Sequence, residues 1–128
     1  MTFDYTFDDS TGHLTITEGS TEIPANAFTD REDIYTVSVP DSVTSIGDNA
    51  FSGCQLSEVS IPSSLTSIGV GVFAVNDLSE VDIPDSVTSI GVSAFQENVL
   101  TEVTLPAHFS DDTPNDASDD EVEIGFRD

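Results

Sequence analysis

The sequence predicts a mainly β fold, a solenoid in which short parallel strands of successive coils stack on one another. A repeated phrase is the first observation behind this prediction: DSVTSIG occurs at 41–47 and again, unchanged, at 85–91, with the near copy SSLTSIG midway at 63–69. A constant spacing of 22 residues between prolines is the second, and it separates Pro40, Pro62, Pro84 and Pro106. A fixed period of this length is typical of a repeat architecture.

Each repeat is predicted to contain one short strand followed by a bend. The segments that end at the four prolines are IYTVSVP, LSEVSIP, LSEVDIP and LTEVTLP, in which apolar and polar residues alternate as in a half-buried strand. Beyond each of the first three prolines the phrase ends in a glycine, namely Gly47, Gly69 or Gly91. We expect a turn there that a side chain would hinder.

The N-terminal segment predicts a hairpin that caps the first coil. FDYTF and HLTIT both alternate, and the DDSTG between them consists of residues that favour turns, so we expect a β-hairpin over 3–17. TEIPANAF at 21–28 then fits the repeat frame with one extra residue, because Phe28 lies 12 residues before its proline where each later phenylalanine lies 11 before.

The repeats are predicted to stack because a single coil of 22 residues buries too little apolar surface to offset the conformational entropy it loses. In a stack, equivalent side chains shield one another from water, and the strands pair in a parallel ladder with rungs about 4.8 Å apart. We expect six rungs, including the hairpin strand and a final strand. Three interior columns are expected: Val43, Leu65 and Val87; Ile46, Ile68 and Ile90; and Phe28, Phe51, Phe73 and Phe95.

After Pro106 the repeat fades, since Asp112 stands where the column of Ile90 predicts an apolar residue. The following SDDTPNDASDDE is rich in turn formers, and VEIGF then alternates like a last strand that caps the C-terminal end. The predicted single domain, 1–128, therefore has three parts: an N-terminal hairpin cap at 1–20, four repeats at 21–106, and an acidic loop with a cap strand at 107–128.

The repeated unit LxxVxIPxSVTSIGxxAF resembles the BspA-type leucine-rich repeat, a branch of the leucine-rich-repeat superfamily, over about 21–106. The resemblance implies a curved leucine-rich-repeat solenoid with the LxxVxI strands on its concave face. It also implies a non-enzymatic module for adhesion or protein binding, and several members of the family begin with a hairpin like the one predicted here.

The superfamily places Asn or Cys where the backbone bends, and the resemblance implies the same role for Cys54, Asn76 and Asn98, each three residues past a phenylalanine. We interpret all three side chains as structural. The first repeat departs from this pattern, because it offers Arg31 or Glu32 at the same place.

The charge of the chain restricts its partners. The formal net charge is −23, since 25 Asp and Glu face only two arginines, Arg31 and Arg127, and no lysine. Nucleic acid is therefore excluded as an expected ligand. Two interpretations remain: a solubilising surface suited to a saline medium, or a surface that attracts a basic protein or weakly binds divalent cations. The acidic loop at 111–121 lacks the spacing of a calcium-binding loop, so we expect a solvated loop there.

No motif predicts an enzyme, a cofactor or a metal site. His13 and His108 have no partner at metal-ligand or triad spacing, and we expect both to be exposed turn residues. The sequence has no glycine-rich phosphate loop and no G-x-S-x-G. It also has neither an apolar run long enough to span a bilayer nor a signal peptide, so we expect no membrane insertion and a cytoplasmic location by default. The cell surface is the alternative if the chain is part of a longer or exported protein.

Polar side chains recur on both sides of the inward valine of each predicted strand, and we expect them to point out of the concave face. Glu58, Glu80 and Glu102 occupy one position of three successive strands. Stacked about 5 Å apart, they either reflect duplication tolerated in salty water or hold cations. The candidate partner-binding residues are Thr36, Ser38, Glu58, Ser60, Glu80, Asp82, Glu102 and Thr104.

Overall fold

Residues 3–107 and 123–126 are described by the computed structural model, and they form eleven β-strands and no α-helix. Nothing in these ranges could cross a bilayer as a helix. The predictions made for His108 and for the acidic loop at 111–121 lie outside the described residues. In chain order the strands are β1 (Tyr5–Asp8), β2 (His13–Ile16), β3 (Glu22–Ile23), β4 (Thr36–Ser38), β5 (Ser45–Ile46), β6 (Glu58–Ser60), β7 (Ser67–Ile68), β8 (Glu80–Asp82), β9 (Ser89–Ile90), β10 (Glu102–Leu105) and β11 (Glu123–Phe126).

The predicted hairpin and the parallel stacking are confirmed. Strands β1 and β2 pair antiparallel, and β2 then pairs in parallel with β4, so the second hairpin strand is the first rung of the solenoid. At the other end β11 pairs in parallel with β10. The rungs β2, β4, β6, β8, β10 and β11 make the six that were expected.

The prediction of a single strand per repeat was wrong, because each coil has a second short strand. The Ser-Ile pair of the SIG phrase forms β5, β7 and β9, which pair in the order β3-β5-β7-β9. These strands have only two residues each, so the alternation that reveals a strand in a sequence is too short to detect.

The phenylalanine column fills the interior as predicted. Phe28, Phe51, Phe73 and Phe95 are at most 1% exposed, and their rings stack with centroids 5.5, 5.8 and 5.6 Å apart. The hairpin closes one end of this column, since the rings of Phe3 and Tyr5 lie 6.1 and 4.9 Å from that of Phe28. The aliphatic columns are buried too, apart from Ile90, which is half-buried.

The chain reverses around each phenylalanine by means of two residues in the left-handed backbone region. One lies two residues before the ring and the other two residues after it, with φ between 58° and 74°. Glycine and asparagine adopt this conformation readily, whereas a β-branched residue is strained there. The pairs are Asn26 and Asp30, Asn49 and Gly53, Gly71 and Val75, and Ser93 and Glu97.

The glycines of the SIG phrase have a different role from the one expected. Gly47, Gly69 and Gly91 do not have a positive φ. A side chain is excluded because the preceding coil approaches too closely: a Cβ would lie 2.5 Å from the amide nitrogen of Ala25 at Gly47, and 2.4 Å from that of Val70 at Gly91. The expected hindrance is present, but it comes from coil packing.

Asn76 ties two coils together through its buried side chain. Its Oδ1 accepts a hydrogen bond from the amide of Leu56 (2.9 Å), and its Nδ2 donates to the carbonyls of Phe51 (2.9 Å) and Phe73 (3.1 Å). Asn98 repeats the arrangement one coil later, where it is only half-buried. The structural role inferred for both asparagines is thus supported by direct contacts.

Cys54 is buried as well, and its Sγ donates to the carbonyl of Phe28 at 3.2 Å. Burial raises the pKa of the thiol to about 11, so it is protonated and unreactive at neutral pH. This position also agrees with a structural role.

Replacing Val75 by glycine should raise the free energy of unfolding by about 0.5 to 1 kcal/mol. The left-handed conformation costs a residue with a Cβ about 1 to 2 kcal/mol, and the extra flexibility of glycine when unfolded offsets about 0.5 to 1 of that gain. Val70→Gly is the matched control: Val70 is similarly exposed (45% against 49%) but has no positive φ, so this substitution should destabilise. Chemical denaturation measures both, and equal signs for the two variants would contradict the assignment of strain.

Asn76→Leu should lower the free energy of unfolding by about 3 kcal/mol or more, because it leaves one buried amide and two buried carbonyls without their partner. Asn98→Leu should cost clearly less, since water reaches that half-buried site. If Asn98→Leu lowers the free energy of unfolding as much as Asn76→Leu, burial does not determine how much these hydrogen bonds stabilise the fold.

Candidate functional site

The eight candidate residues lie on one surface, which we call the strand face. It is formed by the outward side chains of β2, β4, β6, β8 and β10, arranged in two rows on either side of the inward apolar residue. Strand pairing places these residues in register along β2, β4 and β6 and again along β8 and β10. The first row contains His13, Thr36, Glu58, Glu80 and Glu102, and the second contains Thr15, Ser38, Ser60, Asp82 and Thr104.

His13 belongs to this face, so its prediction as an exposed turn residue was wrong. It is the first residue of β2 and is half-buried. Its Nδ1 lies 2.6 Å from the hydroxyl of Thr36 and its Nε2 lies 3.1 Å from that of Ser38. A signal was present in the sequence, because His13 precedes Thr36 by 23 residues, which is one period plus the extra residue of the first repeat. In a catalytic triad a carboxylate accepts a hydrogen bond from the imidazole nitrogen that does not face the serine. Here that nitrogen contacts the hydroxyl of Thr36, so His13 and Ser38 do not form such a triad.

The charge of the strand face changes along the solenoid. The end near the hairpin presents His13 and hydroxyl groups, whereas the other end presents Glu80, Asp82 and Glu102, which are all exposed. Glu102 pairs with Glu80 in the ladder between β10 and β8. Neighbouring strands lie about 4.8 Å apart and alternate residues of one strand about 7 Å apart, so these three carboxylates form a dense negative patch.

Arg31, the one arginine among the described residues, makes its contacts outside the strand face. The guanidinium of Arg31 lies 3.0 Å from the carboxylate of Asp33 and 5.1 Å from the ring centre of Phe7. The hydrogen bond between the two side chains raises the pKa of Arg31 and lowers the pKa of Asp33. Arg31 therefore does not neutralise the strand face.

The ladder of the strand face is interrupted between β6 and β8, a discontinuity that we call the seam. One sheet ends at β6 and the next begins at β8, although the same two coils remain paired through β7 and β9. The backbone amide of Asp77 also still donates to the carbonyl of Leu56 at 2.8 Å. The prediction of one column of three stacked glutamates was therefore wrong: Glu80 and Glu102 are paired, but Glu58 is paired with Thr36.

Side-chain burial also changes at the seam. Val59 is half-buried, whereas its equivalents in the coils on either side, Val37 and Val81, are at most 5% exposed. The Ser86 hydroxyl is buried and has no hydrogen-bond partner among the described residues. A pocket of about 310 Å³ opens at this point, lined by Ile61, Asp82, Pro84 and Asp85.

A second pocket, of about 610 Å³, lies over the hairpin. Its carboxylates are those of Asp8 and Asp9, and hydrogen bonds from Ser10 lower the pKa of Asp8. Within 3–107 and 123–126 no three His, Cys, Asp or Glu side chains are grouped so that they could hold a metal ion. The lining residues are Thr6, Phe7, Asp8, Asp9, Thr11, His13 and Thr15.

Comparison with known proteins supports the architecture. The family described as "BspA type Leucine rich repeat region" matches residues 3–113 in six copies. No curated protein matches significantly. A leucine-rich repeat protein from Eubacterium ventriosum is similar in structure with a TM-score of 0.74 and 22% identity, over 99% of this chain and 38% of that one.

Two further solved structures are similar. One is a leucine-rich repeat protein from Bacteroides ovatus (TM-score 0.57, 22% identity, 80% of this chain and 45% of that one), and the other is the leucine-rich repeat protein of T. pallidum (TM-score 0.53, 20% identity, 96% and 83%). At these identities the likeness shows the fold alone. The chain spans less than half the length of the first two proteins.

Glu102→Gln should raise the melting temperature more in about 20 mM salt than in about 1 M salt, where the Debye length falls to about 3 Å and the repulsion from Glu80 is screened. The gain should be modest, since an exposed contact of this kind is worth about 0.2 to 1 kcal/mol. Glu58→Gln removes the same charge opposite Thr36 and should show a smaller dependence on salt. The paired arrangement is contradicted if the two variants respond equally.

Proposed function

We propose that this chain, which belongs to the BspA-type leucine-rich repeat family, is a non-enzymatic module whose strand face binds a protein partner with a basic surface. Such repeats generally mediate protein binding and are typically non-catalytic. The observation that carries the proposal is the exposed patch of Glu80, Asp82 and Glu102 on a face whose register is held by strand pairing.

The rigidity of the face supports this function. The side chains of the patch project from paired strands above a buried core, so binding requires little further ordering of the backbone. A dense negative patch on a chain with a formal charge of −23 also accelerates encounter with a basic partner and disfavours acidic ones.

Two variants with the same change in net charge test the proposal. The strand-face variant carries Glu80→Gln, Asp82→Asn and Glu102→Gln. The control variant carries Glu18→Gln, Glu32→Gln and Asp41→Asn, three exposed carboxylates that lie in turns and do not belong to the strand face. Proteins of the source cells that bind the immobilised parent are identified, and their affinities for all three forms are measured by titration.

We expect at least one basic partner that binds the parent and the control variant with similar affinity and the strand-face variant about tenfold or more weakly. Equal weakening by both variants would mean that only net charge matters, and no weakening would place the binding surface elsewhere. Binding that requires added calcium would favour the alternative function, a calcium-dependent or purely structural surface protein.

A further inference from the structure

We propose that the pocket at the seam receives one arginine side chain of the basic partner. This inference rests on the function proposed above and names the group that the face recognises. The pocket of about 310 Å³ is lined by two apolar residues, Ile61 and Pro84, and two carboxylates, Asp82 and Asp85. Its volume is at the lower end of the range typical of small-molecule sites, and therefore suits one long side chain.

Among the four repeats, only the coil that contains β8, next to the seam, has a carboxylate at both of these positions. Asp82 and Asp85 stand at positions that are Ser60 and Ser63 one coil earlier. The coil before that has a serine and Asp41, and the coil after has a threonine and an alanine. The interruption of the ladder and the pair of carboxylates therefore occur at the same place, although the 22-residue repeat predicts neither feature.

The apolar wall of the pocket is accessible. Ile61 is half-buried, as Val39 is one coil earlier, while the equivalents in the next two coils, Ile83 and Leu105, are fully buried. A large apolar side chain is thus accessible beside two carboxylates, and this combination matches the aliphatic stem and the charged head of a long basic side chain.

Arginine fits these walls better than lysine. Its planar guanidinium has five N–H donors and can bond two carboxylates at once, whereas the lysine ammonium is a compact and strongly hydrated charge. Asp82 and Asp85 already make contacts within the chain, but a carboxylate has about four lone-pair sites and can accept a further bond. Arg31 is the one arginine in the described part of the chain, which has no lysine; it does not line the pocket and is bonded to Asp33.

The test uses N-acetyl-arginine amide as the probe, titrated into the isotopically labelled protein and followed by NMR. We expect saturable shifts of the amide signals of Ile61, Asp82 and Asp85, with much weaker binding of the uncharged citrulline analogue and of the lysine analogue. Asp85→Ser should weaken the binding of the arginine probe about five- to tenfold. Asp41→Ser makes the same change at the equivalent, exposed position two coils earlier and should leave the affinity unchanged.

The proposal is overturned if citrulline binds as well as arginine, if lysine does, or if Asp41→Ser weakens the probe as much as Asp85→Ser. Non-saturating shifts spread over the whole acidic surface would overturn it too. The titrations separate this inference from the function it rests on. If a partner loses affinity for the strand-face variant but not for Asp85→Ser, the proposed function is supported and the arginine pocket is contradicted. If the arginine probe binds but no such partner is found, the pocket is supported and the proposed function is contradicted.

Discussion

The alignment of each coil with its neighbour is the constraint on which the rest of this structure depends. The amides of Phe28, Phe51 and Phe73 donate to carbonyls of the next coil at 2.8, 3.0 and 2.8 Å, so the rings above them must stack. This requirement explains why the phrase SVTSIG recurs, because a residue that is one position out of register loses both its hydrogen bond and its place in the core. It also explains why a glycine follows each Ser-Ile pair, where adjacent coils leave no room for a Cβ.

The seam shows where this constraint is relaxed. The coils on either side of it remain joined through β7 and β9, and Phe73 and Phe95 still stack with centroids 5.6 Å apart. Only the strand face opens, and it opens where Asp82 and Asp85 come together. A solenoid can tolerate such a discontinuity because each coil is held on several sides, so the loss of one set of hydrogen bonds does not separate the stack.

Electrostatic repulsion acts against the same stacking. Strand pairing brings Glu80 and Glu102 together on exposed surface, and the chain has few basic groups to compensate. The interior has to outweigh this repulsion, which exposed like charges can exert only weakly because water and salt screen them. The fold can therefore present a strongly acidic face without losing its register, and that face is then available to a basic partner.

The period of 22 residues by itself determined the family, the parallel rungs and the buried columns, because these depend on which residues recur. The hairpin followed from the alternating segments on either side of DDSTG. The period also placed the candidate residues on one face, while their role in binding and the part boundaries at 20 and 106 stay predictions. Only the tertiary structure decided two further features: the second strand of each coil, which is too short for its alternation to be detected, and the seam. A repeat predicts that equivalent residues align, but whether two aligned strands pair depends on small differences in how particular coils pack, and these differences have no period.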